Sequence, residues 1–226
     1  MNIESLINKV FRQDQKIIPN ICYSQNGEDL ILNRLLDNKS KGFYIDIGAH
    51  HPLRFSNTHF FYKKGWNGIN IDAMPGSMKL FKSIRKRDIN LETGIGDKKE
   101  LLTYYKLNEP ALNTFDRREV DLKIKKNYKL IDSLTLSVDR LDNILEKYLK
   151  INQEIDFMNI DVEGKDKEVL LSNNWKKFRP KFILIEILNE DKLINENCEI
   201  NKYLEKQGYS FINKAIDTCI FRNNSI

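Results

Sequence analysis

Short apolar runs alternate with amphipathic stretches from Leu30 almost to the C-terminus, and few folds accommodate that alternation. The runs are Phe43–Ile47, Gly68–Asp72, Ile89–Thr93, Leu134–Val138, Ile155–Ile160 and Phe182–Ile187. Compact runs such as Phe43–Ile47 and Phe182–Ile187 mark strands covered on both faces. Helical spacing marks Glu28–Asp37, Phe55–Lys64, Met78–Lys86, Asp139–Lys150, Lys165–Ser172 and Glu199–Gln207. Leu101–Leu107 reads as an added strand, and Tyr209–Asn213 with Thr218–Arg222 as an antiparallel edge pair. The expectation is a doubly wound α/β sheet closed by a hairpin.

A chain of 226 residues with 41% hydrophobic and 31% charged residues can bury a full core, which excludes disordered and fibrous classes. The net charge of +5 permits polyanion binding without indicating it, because acids and bases are mixed along the chain. Cys22, Cys198 and Cys219 form neither a CxxC pair nor a zinc-type cluster and read as reduced thiols, so a cytoplasmic location is expected. No stretch predicts a membrane span, the run Phe182–Leu188 being broken by Glu186. Residues 1–22 are expected to form a helical extension, with Ile3, Leu6, Ile7, Val10 and Phe11 on one face. That stripe suits packing on the domain, a homodimer or contact with a lipid surface, of which the first two are favoured because the stripe is short and poor in basic residues. Residues 23–226 form the main domain. Within it, 108–133 is the least regular part and reads either as a solvated excursion or as a substrate lid.

Open α/β sheets bind ligands beyond the carboxyl ends of their strands. Those ends carry Asp46, Gly48, Ala49, His50 and His51 after the first strand, Asp72 and Ala73 after the second, and Gly96 and Asp97 after the third. Asp161, Glu163 and Gly164 follow the fourth, and Glu186 ends the fifth. Gly48 and Ala49 let a ligand approach the main chain. Asp72, 26 residues after Asp46, suits the acid that binds both hydroxyls of a ribose, which points to an adenosine cofactor. No GxGxxG follows the first strand to cradle a pyrophosphate, and Asp46 would repel one. The same carboxylate attracts the ammonium of a methionine moiety, so S-adenosylmethionine fits better than a nicotinamide dinucleotide.

These residues resemble the FkbM-type S-adenosylmethionine-dependent methyltransferases. The likeness rests on Tyr23–Asp29 (YSQNGED), Phe43–His50 (FYIDIGAH), Ser56–Thr58 (SNT), Gly65–Asp72 (GWNGINID) and Ile155–Gly164 (IDFMNIDVEG). It implies a class I methyltransferase fold, Rossmann-like, with a seven-stranded sheet whose last strand runs antiparallel. It also implies O-methylation of hydroxyls on sugars or polyketide-type products. By that resemblance Asp46, Gly48 and Ala49 form the cofactor loop, Asp72 with Ala73 the ribose side, and Gly96–Asp97 the adenine side. Gln25 and Asn57 contact the methionine end. The chain departs from many members in carrying His50–His51–Pro52 where a second glycine is common, and Asp72 where Glu is common.

Methyl transfer to an alcohol needs in-line alignment and a base. Asp161 ranks first as that base, followed by His51 and His50, with Glu163 and Glu186 as polar support; as an alternative, Asp161 caps the helix that follows it. His59 reads as structural. Magnesium held by carboxylates at this end of the sheet stays open, Asp161 with Glu163 or Glu186 being able to contribute, and no ligand set is assigned. The reading is an O-methyltransferase acting on a sugar hydroxyl, of a nucleotide sugar or a surface-glycan unit, in polysaccharide biosynthesis. A methyltransferase-fold binding module and a nucleic-acid methyltransferase are the competing readings. No basic-aromatic platform for nucleic acid is seen.

Overall fold

The structure is a computed structural model that describes residues 20–187 and 198–226. The expected helix over 1–22 lies outside the described residues except for 20–22, which are not helical. In chain order the elements are α1 (Glu28–Leu35), β1 (Phe43–Ile47), α2 (His59–Lys63), β2 (Asn67–Asp72), α3 (Met78–Ile84), β3 (Ile89–Glu92), β4 (Gly94–Ile95) and β5 (Glu100–Leu107). They continue through a short 3-10 turn (Pro110–Leu112), α4 (Arg117–Lys125), β6 (Leu130–Asp139), α5 (Leu141–Tyr148), β7 (Phe157–Ile160), α6 (Asp166–Leu171) and β8 (Phe182–Glu186). The chain closes with α7 (Glu199–Lys206), β9 (Tyr209–Ala215) and β10 (Thr218–Asn223).

The main sheet has the order β3-β2-β1-β7-β8-β10-β9, and β10 runs antiparallel to both of its neighbours while the other pairs are parallel. This is the expected seven-stranded sheet with its last strand reversed. The order turns back between β1 and β7, which opens a crevice at their carboxyl ends.

Strand periodicity decides what each face carries. Phe43, Ile45 and Ile47 of β1 pack with Met158, Ile160, Ile183 and Ile185 under α5, α6 and α7, in one cluster with Leu141, Leu145, Val169, Leu170 and Leu204. Tyr44, Phe157, Phe182 and Leu184 face the other way, against Leu32 and Leu36 of the α1 region and Phe61 and Trp66 of the α2 region. Asp46 shares the parity of Tyr44, and Asn159 that of Phe157, so both polar side chains belong to the layer that holds α1 and α2. Both are buried.

A second sheet, β4-β6-β5, departs from the expected single sheet. Thr93 N still donates to the Asp72 carbonyl at 3.0 Å, but Gly94–Ile95 then pairs with Val138 and Asp139 of β6. β5 runs antiparallel to β6 over Glu100–Leu107. The excursion 108–133 is more regular than its composition suggests. Asp116 caps α4 by accepting from Arg118 N at 2.8 Å, and only Val120 and Lys123 of that helix are buried.

Candidate active site

Two cavities of unlike chemistry meet where β1 and β7 end. The first is lined largely by Ile71, Ala73, Thr93, Gly94, Ile95, Tyr104 and Phe115, a slot with apolar walls. The second, about 430 Å³, is polar and includes Gln25, Asn57, Asn159, Asp46 and Glu186. Gly48, His50, Ala111, Asp161 and Glu163 border both. The wall from Tyr104 to Phe115 comes from β5 and the start of the excursion, whose rings meet at 4.8 Å. That segment is tied down by Thr114 Oγ1, which donates to the Glu163 carbonyl at 2.6 Å.

Gly48 makes the junction. Its φ is +80°, and a Cβ there would fall inside the radius of the Asp161 carbonyl oxygen. Three non-glycine residues beside the polar cavity are also left-handed: His50 (φ 50°), Phe55 (φ 53°) and Glu163 (φ 54°). Such backbone is costly and collects where function over-determines it.

Asp46 is held from two sides. Thr58 Oγ1 donates to its Oδ2 and Asn159 Nδ2 to its Oδ1, each at 2.9 Å. Burial raises its pKa, and these hydrogen bonds oppose the rise. Asn57 Nδ2 donates to Asn159 Oδ1 at 2.9 Å, which places the predicted Asn57 beside the same group. Asp72 accepts from His50 N at 2.9 Å and from Met74 N at 2.8 Å, one bond on each oxygen. It therefore pins the loop after β1 to the loop after β2 and keeps a second lone pair on each oxygen for a ligand. Its pKa is raised by burial.

Asp161, Glu163 and Glu186 converge, each with a carboxylate oxygen within 4.8 Å of the others, a spacing that one divalent cation could bridge. Burial, then the neighbouring Glu163, Asp166 and Asp46, push Asp161 well above the usual carboxylate range. Burial and Asp161 push Glu186 up to about 10. Glu163 rises by burial, opposed by Lys123, whose Nζ lies 3.0 Å from Glu163 Oε2. Three carboxylates this close cannot all ionise without a counter-charge, and α4 supplies one through Lys123. Among the described residues, Glu186 Oε2 and His50 Nε2 are buried without a hydrogen-bond partner.

Not every predicted residue arrives at the cavities. Gln25, Asp46, Gly48, Ala49, His50, Asn57, Asp161, Glu163 and Glu186 line the polar one, and Asp72 and Ala73 the apolar one. Gly96 and Asp97 line a depression with Lys98 and Glu168 that adjoins the apolar slot through Ile95, Phe115 and Lys165. His51 lines neither cavity; its Nδ1 accepts from Leu53 N at 3.1 Å and Arg54 N at 3.0 Å, which closes the turn. His59 is buried against Tyr23, with its pKa lowered by burial to about 4. Asn159 and Thr58 lie within the blocks that carry the resemblance but have no site role assigned from the sequence, and Lys123, Tyr104 and Thr93 carry none either. Asn159 carries a further signal, an amide inside an otherwise apolar buried strand.

A family model of the methyltransferase FkbM domain matches residues 46–211. The chain belongs to the FkbM methyltransferase family. A solved structure of methyltransferase FkbM from Methylobacillus flagellatus KT superposes with a TM-score of 0.50 at 12% identity, covering 81% of this chain and 44% of that one. This FkbM-family chain thus spans less than half the length of that relative. Two "putative" methyltransferases are also similar. One is an O-methyltransferase from Klebsiella pneumoniae (TM-score 0.46, 11% identity, 92% of this chain and 84% of that one). The other is an RNA methyltransferase from Pyrococcus horikoshii (TM-score 0.44, 10% identity, 88% of this chain and 83% of that one). No curated protein matches the sequence. The seven-stranded order is that of the Rossmann-like class I methyltransferase fold. Among the described residues, no helix is long and apolar enough to cross a membrane.

Proposed function

We propose that this protein is an S-adenosylmethionine-dependent O-methyltransferase whose acceptor is a hydroxyl of a sugar. The observation that carries the reading is the meeting at Gly48 of an apolar, aromatic-walled slot with a polar cavity rich in carboxylates. S-adenosylmethionine has matching parts: a flat base for the slot, a diol for Asp72, and an ammonium for the region of Asp46. The bound cofactor would supply an electrophilic methyl group on a sulfonium. The chain's own residues would hold the acceptor in line and take its proton, with Asp161 as base beside Glu186 and Glu163.

The polar cavity favours an acceptor that donates hydrogen bonds and carries no phosphate. Among the described residues seven carboxylates line it, against three cations, Arg54, Lys123 and Lys126. Lys123 is committed to Glu163 and Arg54 faces Glu109. Asp161 and Glu186 hold protons near neutrality, so the like charge comes from the remaining carboxylates; it weighs against phosphodiesters and nucleotide-activated sugars and favours a glycan unit or a glycosylated product. Carboxylates accept from hydroxyls, as sugar-binding sites require.

Calorimetric titration tests the cofactor assignment. S-adenosylmethionine is expected to bind saturably and NAD not at all, and Asp72→Ala is expected to weaken the former about tenfold or more, through loss of hydrogen bonds to a charged acceptor. Absence of S-adenosylmethionine binding by folded wild-type protein would overturn the reading. A pH series adds a second check once a screen of sugars, run with and without magnesium, gives an acceptor. A base must be ionised, and Asp161 and Glu186 both titrate above the ordinary carboxylate range. The transfer rate is therefore expected to rise with pH through neutrality; a rate already flat from about pH 5 would remove these carboxyls as the base.

A further inference from the structure

Arg85, at the C-terminal cap of α3, has no exposed surface and borders neither cavity, yet its polar contacts converge on the loop between β1 and α2. Nε donates to the Pro52 carbonyl at 3.0 Å. Nη2 donates to Ser56 Oγ at 2.9 Å and to Thr58 Oγ1 at 3.2 Å. Nη1 donates to the Tyr44 hydroxyl at 3.1 Å and, more weakly, to the Thr58 carbonyl at 3.4 Å. Asp88 lies 3.8 Å from the same nitrogen and the guanidinium stands over the Tyr62 ring at 4.8 Å. One buried cation therefore ties down both ends of the segment 52–58, whose middle places Arg54, Phe55 and Asn57 in the polar cavity.

The hydrogen-bond direction matters. A hydroxyl has one proton to give, and Arg85 can only donate, so Thr58 Oγ1 accepts from Arg85 and gives its proton to Asp46 Oδ2 at 2.9 Å. The other Asp46 oxygen is taken by Asn159, which also fixes Asn57. The result is a chain from Arg85 through Thr58 to Asp46, with Asn159 and Asn57 on its far side. Burying a guanidinium seldom gives net stability, so a wholly buried one that spends its donors on a site loop calls for a role in geometry.

We propose that Arg85, acting through Thr58, is the positioning residue for the amino-acid end of the cofactor. It holds Asp46 as an oriented carboxylate and keeps Asn57 against Asn159, so that the ammonium meets a preformed acceptor set. This rests on the cofactor reading above and adds the residues that tune it. Neither residue acts on the adenosine end, whose walls are Ile71, Thr93, Ile95, Tyr104 and Phe115.

The test compares two ligands by calorimetry: S-adenosylmethionine, and 5′-methylthioadenosine, which keeps the adenosine and the sulfur but has no amino acid. Thr58→Val keeps the shape and removes the hydroxyl. It is expected to weaken S-adenosylmethionine about tenfold or more while leaving methylthioadenosine unchanged, and Thr58→Ser is expected to restore wild-type binding of both. Arg85→Lys, which keeps the charge and loses the fork, is expected to show the same selective loss and serves if Thr58→Val does not fold. Equal weakening of both ligands would mean a merely structural role and overturn the proposal, as would unchanged binding of S-adenosylmethionine. Wild-type protein that binds neither ligand would instead defeat the cofactor reading itself, an outcome distinct from a lost preference between the two.

Discussion

Asp161→Asn is expected to lower methyl transfer by about 10²- to 10⁴-fold, the range for loss of a general base, while S-adenosylmethionine still binds. The same substitution should make the protein more stable, and increasingly so at higher pH. Asp161 and Glu186 are both raised in the folded state, Glu186 to about 10, by burial and by each other's charge. Between the ordinary carboxylate range and these raised values, the folded chain holds more protons than the unfolded chain. Stability from these groups is thus fully present at low pH and is lost as pH rises through the folded values. Asn at 161, or Gln at 186, removes a carboxyl that the fold must otherwise keep protonated or leave ionised among its neighbours. Thermal melts are expected to place each variant about 2–4 °C above wild type at pH 9 and near it at pH 5. A site kept at a cost in stability is the expected signature of function. Melting curves with no pH-dependent gap, or full activity in Asp161→Asn, would each show that the carboxylate cluster does not do this work.

The parts of this site that sequence made legible are those where burial is two-sided. β1, β7 and β8 are covered on both faces, so they stand out as compact, largely apolar runs, and the acids at their ends, Asp46, Asp161 and Glu186, locate themselves. Asn57 and Gln25 came from the family resemblance and both line the polar cavity. The second sheet was hidden for the opposite reason. β6 exposes most of Leu130–Leu136, so only its inner end reads as a strand, and nothing in either pattern pairs that end with β5 in a sheet of their own. The resemblance implies that Gly96 and Asp97 lie on the adenine side. The chain turns at Thr93 to pair with β6, so Thr93, Gly94 and Ile95 line the apolar slot while Gly96 and Asp97 line the depression that adjoins it through Ile95 and Phe115. α4 looked like a solvated charge run because its buried side is only Val120 and Lys123, and no pattern marks which lysine of several will meet Glu163. Arg85 is equally silent: a basic residue at a helix end is ordinary until the fold closes over it.

Gly48→Ala is expected to be the most damaging small substitution in the chain. Its φ of +80° penalises any side chain, but that strain alone costs about 1–2 kcal/mol. The added cost is a collision with the main chain, because the Cβ would overlap the Asp161 carbonyl oxygen. Neither partner can retreat. Gly48 N and Ala49 N both donate to the Ile71 carbonyl, at 2.9 and 3.0 Å, and Asp161 N donates to the Ile47 carbonyl at 3.0 Å. The turn is thus bolted between the ends of β2 and β7, and relief means breaking the sheet where its order reverses. The expected loss is about 4 kcal/mol or more, in the range reserved for strain combined with overpacking, or roughly 10 °C in melting temperature. Gly76→Ala is the matched control: its φ is +85° and an added Cβ there meets nothing within 4 Å. The difference between the two variants isolates the contact from the backbone strain. Equal losses would mean that the β1 turn does not press on Asp161. In that case Gly48 would not fix the main chain that carries Asp161, and the proposed base would lose the positioning that in-line transfer needs, where a misplacement of about 1 Å is costly.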